Sequence, residues 1–484
     1  MKVFTKLFAV CALLCVMTAC PSNKQTDVAV TTNSPSNVTY NSAICSCNAK
    51  ITNGIEIKEI GLCWNTTGSP TLADDYDSKE WASTSFTTTL KDLEMGKTYY
   101  VRGFVKTNDI DAEPIYGNEI NFTTEAPIEV TTIQPSDFEY TTAKCGVEIT
   151  LPNNSNLNIT KIGVCWSIEE MPTINSSKLE SDYLGVSYTP TLENLEPGET
   201  YHVRAYAKGQ YNTPLFYGPD VTFTLKEASE NAFLVDNNRF VYFSPGNLQY
   251  QASTNIWRFA ENQYDFIGED NNNVSETYDG WIDLFGWATS GYCCGNENYQ
   301  PYHYTFNASY GPIENHDLTG EYQNCDWGIY NPISNGGNQA GIWRTPTTDE
   351  WEYVMNIRPN AKQKRVNCNI NGINGVIIMP DNHIWPNGIG ANHDSFFYSD
   401  NTYSLSDWET LQNSGAIFLP EAGYRNVKYP IIINGGYYWS STYSKDIGSL
   451  RYANSMYFEA SFPKTGSQAV YQGCSVRLVK DVTF

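Results

Sequence analysis

The chain is poor in positive charge: 30 Lys and Arg stand against 53 Asp and Glu in 484 residues, a net charge of −23. It has no run of Lys or Arg that would neutralise successive phosphates, and an acidic surface repels a polyanion. Nucleic acid is thereby excluded as a partner. Beyond the first twenty residues there is no apolar stretch long enough to cross a bilayer as a helix. No Ser-His-Asp order, Walker loop or dinucleotide fingerprint stands out either. What the chain has in plenty is aromatic, with 21 Phe, 12 Trp and 34 Tyr, the supply expected of folded, β-rich domains. Its length predicts about two to four of them.

The N-terminus points to a compartment. Lys2 and Lys6 precede the apolar run "LFAVCALLCV" (7–16), and the small residues Thr18 and Ala19 stand before Cys20. That order is a secretory signal peptide, residues 1–19, and the apolar run is too short to span. The ending "VMTAC" resembles a bacterial lipobox. The resemblance implies cleavage before Cys20, a diacylglycerol on its sulfur and a further acyl chain, such as palmitate, on its amine. More than one chain makes such an anchor stable. The expectation is a protein tied to outer-membrane lipid of a Gram-negative envelope and facing the cell surface, with residues 20–26 as a linker. Removing residues 1–19 takes away two lysines and no acid, so the net charge becomes −25. It also leaves Cys45, Cys47, Cys63, Cys145, Cys165, Cys293, Cys294, Cys325, Cys368 and Cys474 in an oxidising compartment.

An internal repeat follows. "IGLCWNTTGSPT" (60–71) returns as "IGVCWSIEEMPT" (162–173), and "LEMGKTYYVRGFVK" (93–106) as "LEPGETYHVRAYAK" (195–208), both offset by 102. Such constancy means duplicated domains, here 27–125 and 126–226. Within each, the pattern has period two: Tyr99, Val101, Gly103 and Val105 share one face, and Tyr201, Val203, Ala205 and Ala207 repeat it. "LEPGETY" resembles the tyrosine-corner approach of fibronectin type III sandwiches, which implies that fold for both copies. His202 falls on the outward face, the place of a solvated histidine. Cys45 with Cys63, and Cys145 with Cys165, offer matching disulfides. Alternation sets Cys165 opposite Ile162, Val164 and Trp166, so a bridge there needs a bulge to shift the parity.

From Glu230 to Phe484 short strands alternate with polar loops. "NRFVYFSPGNLQYQASTNIWRFA" (238–260) reads as strands broken by turns, and "YYWSSTYS", "NSMYFEA" and "CSVRLVK" (437–480) as a closing antiparallel meander. Two helices are expected, each opened by a capping box. One starts at Thr347 with Glu350, the other at Ser406 with Glu409 and an end at Gly415. The segments "VYFSPGNLQYQAS", "NCDWGIYNPISNGGNQAGIWRTPTTDEW", "INGVIIMPD", "AIFLPEAGYRN", "YYWSSTYS" and "SVRLV" resemble the major paralogous (FISUMP-type) domain of bacterial surface lipoproteins across residues 239–479. The resemblance implies an α+β fold related to C-type lectins and to the formylglycine-generating sulfatase-modifying factors. The whole chain is then mainly β: two sandwiches followed by this α+β domain.

In the sulfatase-modifying enzymes a cysteine pair near the C-terminus binds copper and carries the oxidation. Here Thr345 stands where that family has Leu, and the matching segment holds Cys474 alone. "WRTPTTDEW" is therefore read as a capped helix whose Trp343 and Trp351 pack the core. Cys293, Cys294, His303, His316 and Cys325 fit no zinc spacing. Their cysteines are read instead as a source of disulfides: a vicinal 293–294 bridge, or one from that loop to Cys325 or Cys368. "EDNNNVSETYDGWID" (269–283) is rich in oxygen ligands but lacks the glycine and closing glutamate of a calcium hand. Calcium is thus possible without motif support, and no cofactor is expected.

Loop aromatics remain, among them Trp281, Trp287, Tyr292, Tyr302, Tyr437 and Tyr438. An aromatic face beside amides and carboxylates is what a sugar surface needs. Trp385, in the polar loop "DNHIWPNGIGANHD" (381–394), is the leading candidate, with His383, Asn387, His393 and Asp394 as polar contacts. The expected function is a non-enzymatic surface lipoprotein whose head binds an extracellular glycan or protein. The alternatives are a structural subunit of a surface assembly or fimbrial tip and, below that, a diverged thiol oxidase or glycan hydrolase.

Overall fold

The computed structural model describes residues 28–482 apart from 53, 81–82, 110–111, 153–156, 186, 210–213, 293–298, 304–315, 384, 433–434, 448–449 and 460. Cys20, Cys293 and Cys294 lie outside the described residues. The fold is mainly β, built largely from antiparallel sheets. The chain divides into two compact units. One is built on the residues up to Glu129, the other on those from Val130 onwards except for 149–159 and 209–214.

In the first unit the strands are β1 (Val28–Thr32), β2 (Ala43–Ile51), β3 (Ile57–Asn65), β4 (Asp75–Glu80), β5 (Ser85–Leu90), β6 (Thr98–Thr107) and β7 (Ile115–Thr123). They form one sheet in the order β1-β2-β5 and another in the order β4-β3-β6-β7. Alternation does the sorting: Ala43, Cys45, Cys47 and Ala49 of one sheet pack against Ile60, Leu62, Tyr99, Val101 and Val105 of the other. Gly103 is required where the sheets approach, since a Cβ there would lie 2.6 Å from Cβ of Cys47.

The second copy repeats this strand for strand, with β8 (Glu129–Ser136), β9 (Ala143–Thr150), β10 (Ile159–Ser167), β11 (Ser177–Asp182), β12 (Thr191–Leu192), β13 (Thr200–Gly209) and β14 (Leu215–Thr224). Its sheets are β12-β9-β8 and β11-β10-β13-β14. In each copy a tyrosine hydroxyl at the strand entry takes a hydrogen bond from the backbone five residues upstream. Glu94 N–H donates to Tyr99 and Glu196 N–H to Tyr201, both at 2.9 Å. His202 is not simply solvated: its Nδ1 meets Asp220 Oδ2 at 3.0 Å in a largely covered pair.

The disulfides offered by the sequence do not form, for Cys45, Cys63, Cys145 and Cys165 are all buried thiols. Parity is the reason. Cys45 belongs to the core between the sheets, whereas Cys63 alternates with the core residues Ile60 and Leu62. Its sulfur instead donates across the strand pair to the Arg102 carbonyl at 3.5 Å. Cys165 does the same to the Arg204 and Pro172 carbonyls, both at 3.4 Å. Burial pushes the Cys45 and Cys145 thiols up to about 12 and those of Cys63 and Cys165 up to about 11.

The remaining domain starts and ends on one sheet, where Phe240–Phe243 pairs with Phe233–Leu234 and with Val479–Asp481. Leu248–Gln251 and Ile256–Phe259 make the expected hairpin. A four-stranded sheet runs in the order Thr402–Tyr403, Arg365–Ile370, Ile373–Ile378, Ile417–Pro420. The helices are α1 (Trp327–Tyr330), α2 (Thr348–Glu352) and α3 (Leu405–Asn413). The box predicted for α2 is present, with Thr347 Oγ taking Glu350 N–H and Glu350 reaching back. Trp343 and Trp351 are buried as expected.

Two expectations are corrected. The α3 cap is Ser404 with Asp407, two residues before the predicted Ser406: Asp407 N–H donates to Ser404 Oγ at 3.2 Å, and the Asp407 carboxylate accepts Ser404 N–H at 2.9 Å. The meander is Gly436–Ile447, Leu450–Phe458 and Lys464–Ala469, while 474–478 is not one of its antiparallel strands. There Cys474 bridges Phe285 and Ser475 bridges Tyr438. This segment is buried throughout, and the Arg477 guanidinium within it is hydrogen-bonded to Asn247 and Gln263.

The oxygen-rich stretch 269–283 latches the chain to itself. Asn271 Nδ2 donates to Asp283 Oδ1 at 2.8 Å, and Ile267 N–H to Asp283 Oδ2 at 2.9 Å. Among the described residues no group of three or more His, Cys, Asp or Glu is placed to hold a metal ion. Burial raises Asp283 to about 6, against these hydrogen bonds.

Two measurements check this part of the structure. Cys45, Cys63, Cys145 and Cys165 should alkylate only after unfolding, equally with and without prior reduction, and a disulfide-linked peptide containing Cys45 would contradict it. A carboxyl with a raised folded-state pKa stabilises below its unfolded value and loses that contribution as pH rises through about 6. Wild type should therefore gain stability relative to Asp283→Asn as pH falls from neutral towards 4, by about 1–3 kcal/mol in urea unfolding.

Candidate functional site

A cavity of about 520 Å³ opens in the second unit, between the turn that enters β13 and the loop that carries Trp385. Its walls bring together segments far apart in sequence. Glu196, Pro197 and Glu199 come from the β13 turn, Asn360, Gln363 and Lys364 from the bend after α2, and Asp381, His383, Trp385 and His393 from the loop after Ile373–Ile378.

Each wall is held by hydrogen bonds the sequence supplies. Tyr201 fixes the β13 turn through Glu196 N–H. The Trp385 loop is pinned to the sheet: Asn392 N–H donates to Asn401 Oδ1 at 2.7 Å, the Tyr403 hydroxyl to the Gly390 carbonyl at 2.9 Å, and His393 Nδ1 lies 3.0 Å from the Arg365 carbonyl. Against a carbonyl that nitrogen must carry the proton, leaving neutral His393 an acceptor at Nε2. His383 Nε2 meets Asn231 Oδ1 at 2.8 Å. Trp385 stands edge-on to His393, with ring centres 5.3 Å apart. Its Nε1–H is buried with no hydrogen-bond partner among the described residues, a state that normally finds a ligand, a water or another acceptor.

Beneath these rings lies a buried ionic chain. Arg358 and Asp381 are both fully buried and pair at 2.9 Å. The same guanidinium donates to the Val354 and Met379 carbonyls, each at 2.8 Å. Lys364 Nζ bridges Asp381 Oδ1 at 3.1 Å and Glu196 Oε2 at 2.9 Å, and Asn360 caps Glu196 Oε1 at 2.6 Å. A charge cannot be buried unless it is matched, and this chain matches each in turn. It also ties the second β repeat to the domain that follows. An apolar contact accompanies it, with the Tyr140 and Phe240 rings edge-on at 4.8 Å.

Of the predicted ligand residues, His383, Trp385 and His393 line one cavity. Asn387 is exposed outside that lining. Asp394 is exposed and paired with Lys362, which holds its carboxyl below the usual range. Tyr437 and Tyr438 are corrected: both are buried, Tyr437 against Glu459 and Tyr438 with its hydroxyl on the Pro420 carbonyl at 2.8 Å. Cys325 is buried as well. Cys474 and Cys368 are fully buried, and burial lifts both thiols far above the ordinary cysteine range. That suppresses the thiolate any oxidation would need.

Sequence reasoning missed Glu196, Glu199, Lys364 and Asp381. One signal for two of them was present. Aligning the copies sets Lys97 against Glu199, a reversal of charge. In the first copy Lys97 sits 3.6 Å from Glu94; in the second that lysine is gone, and Glu196 is met by Lys364 instead.

No family model matches the chain, and no curated protein matches it. Among solved structures it is similar to the sensor domain of the anti-sigma factor RsgI4 in Pseudobacteroides cellulosolvens, with 22% identity over 21% of this chain and 99% of that one. The TM-score is 0.17, so that match carries no argument here.

Removing Arg358 should leave Asp381 half-matched in the interior. Arg358→Ala is expected to cost about 3–5 kcal/mol in denaturant unfolding. Arg358→Lys should not restore it, since an ammonium cannot reach the three acceptors the guanidinium spans.

Proposed function

We propose that the protein is a lipid-anchored surface protein whose cavity binds an extracellular saccharide without transforming it. On this reading two fibronectin type III-like sandwiches, residues 27–125 and 126–226, carry a C-type-lectin-like head, residues 230–484, of the major paralogous kind. The matching strand orders and the twin tyrosine ties support the sandwiches. The sheet that joins the head's first strands to its last one supports the head. The anchor follows from the lipobox-like sequence at Cys20, with outer-membrane lipid as its partner.

The observation that carries the binding reading is the convergence of Trp385, His383 and His393 on one cavity. An indole face stacks on sugar C–H bonds, and imidazoles, amides and carboxylates around it meet hydroxyls. A volume of about 520 Å³ accommodates a small oligosaccharide unit. The buried ionic chain keeps these walls in place before any ligand arrives, so little ordering remains to oppose binding.

Protein lacking residues 1–20 and screened on a glycan array should retain a defined set of saccharides, with calcium and with EDTA alike. Trp385→Ala should lower the affinity about tenfold or more, and His393→Ala should lower it as well. An array on which nothing is retained, or binding indifferent to both substitutions, would overturn the reading.

A further inference from the structure

The charges around the cavity do not balance, and the imbalance bears on the ligand. Asp381 uses one oxygen on Arg358 and the other on Lys364. Glu196 uses one on Lys364 and the other on Asn360. Two cations and two anions therefore satisfy one another, with the Lys364 ammonium divided between two carboxylates. Glu199 is left over. It lines the same cavity, is exposed, and its carboxylate makes no ion pair or hydrogen bond among the described residues. Across the cavity the rings of His383 and His393 are held by Asn231 Oδ1 and the Arg365 carbonyl, and the Trp385 indole attracts a cation. The chain as a whole is strongly acidic and so concentrates cations near its surface.

We infer that the cavity selects saccharides bearing a free, positively charged amine over neutral or N-acylated ones, and that Glu199 is the residue setting this preference. The inference rests on the saccharide reading given above. The indole takes a sugar face, and the ammonium meets Glu199. The repeat offers its own control, because the equivalent position in the first copy is Lys97, of opposite charge.

The test is calorimetric titration of the protein lacking residues 1–20 with three oligomers of equal length: glucosamine with free amines, N-acetylglucosamine and glucose. It is run below the pKa of the sugar amine. Wild type should bind the free-amine oligomer roughly three- to tenfold more tightly than the other two, a preference that added salt erodes. Glu199→Gln should level the three affinities, Glu199→Lys should turn the preference against the amine, and the remote Glu170→Gln should leave it unchanged. Glu199 and Glu170 are both exposed, so folding is not at issue. Equal binding of all three oligomers by wild type, or a preference that survives Glu199→Gln, would overturn this inference while the saccharide reading stands. Failure to bind any of them or any arrayed glycan would overturn that reading, and this inference with it.

Discussion

A carboxylate without water is the demand around which the second unit is arranged. Asp381 is fully buried, and an unmatched charge in that position would cost more than the domain's whole margin of stability. Arg358 answers from beside α2, and Lys364 follows on the same bend. Lys364 in turn needs a second anion, which the neighbouring β repeat provides as Glu196. One buried acid thus recruits three residues from two domains, and the cavity lies over them. Its floor is polar because of the same chain.

Duplication made this arrangement accessible. Both copies hold a glutamate at the strand entry through the same tyrosine contact. A glutamate so fixed, with its backbone committed, has a side chain free to change partner. In the first copy it rests beside its own lysine; in the second it reaches Lys364. The scaffold was kept and the contact rewritten by one reversal of charge.

Much of this was legible in the sequence. The offset of 102 revealed the repeat, the alternation in "TYYVRGFVK" placed its inner face, and Thr347 with Glu350 marked the start of α2. The Trp385 loop stood out because its aromatic sat among Gly, Asn and His. Local patterns failed where the answer depended on non-local geometry. Ser406 and Ser404 are both followed three residues later by an acid, and the backbone conformation at Ser404 decides between them. The cysteine pairs looked bridgeable along the chain, yet their sulfurs occupy opposite faces of different sheets. Tyr437 and Tyr438 read as loop residues until the buried Arg477 segment packed beneath them. The other half of the cavity, Glu196 and Glu199, lies more than 150 residues before Trp385, beyond the reach of any local motif.

The head's closing strand has a temporal consequence. Val479–Asp481 pairs with Phe240–Phe243, and Asp481 also meets Arg344 at 2.6 Å, so the domain is sealed only by a strand far along the chain from its partner. Each β repeat closes over about 100 residues and can finish as soon as it emerges. The head must wait for residue 481 with its aromatic interior uncovered. Glu196 is fixed in place long before Lys364 exists to meet it, so the earlier domain presents a finished, charged ledge while the later one completes itself beside it.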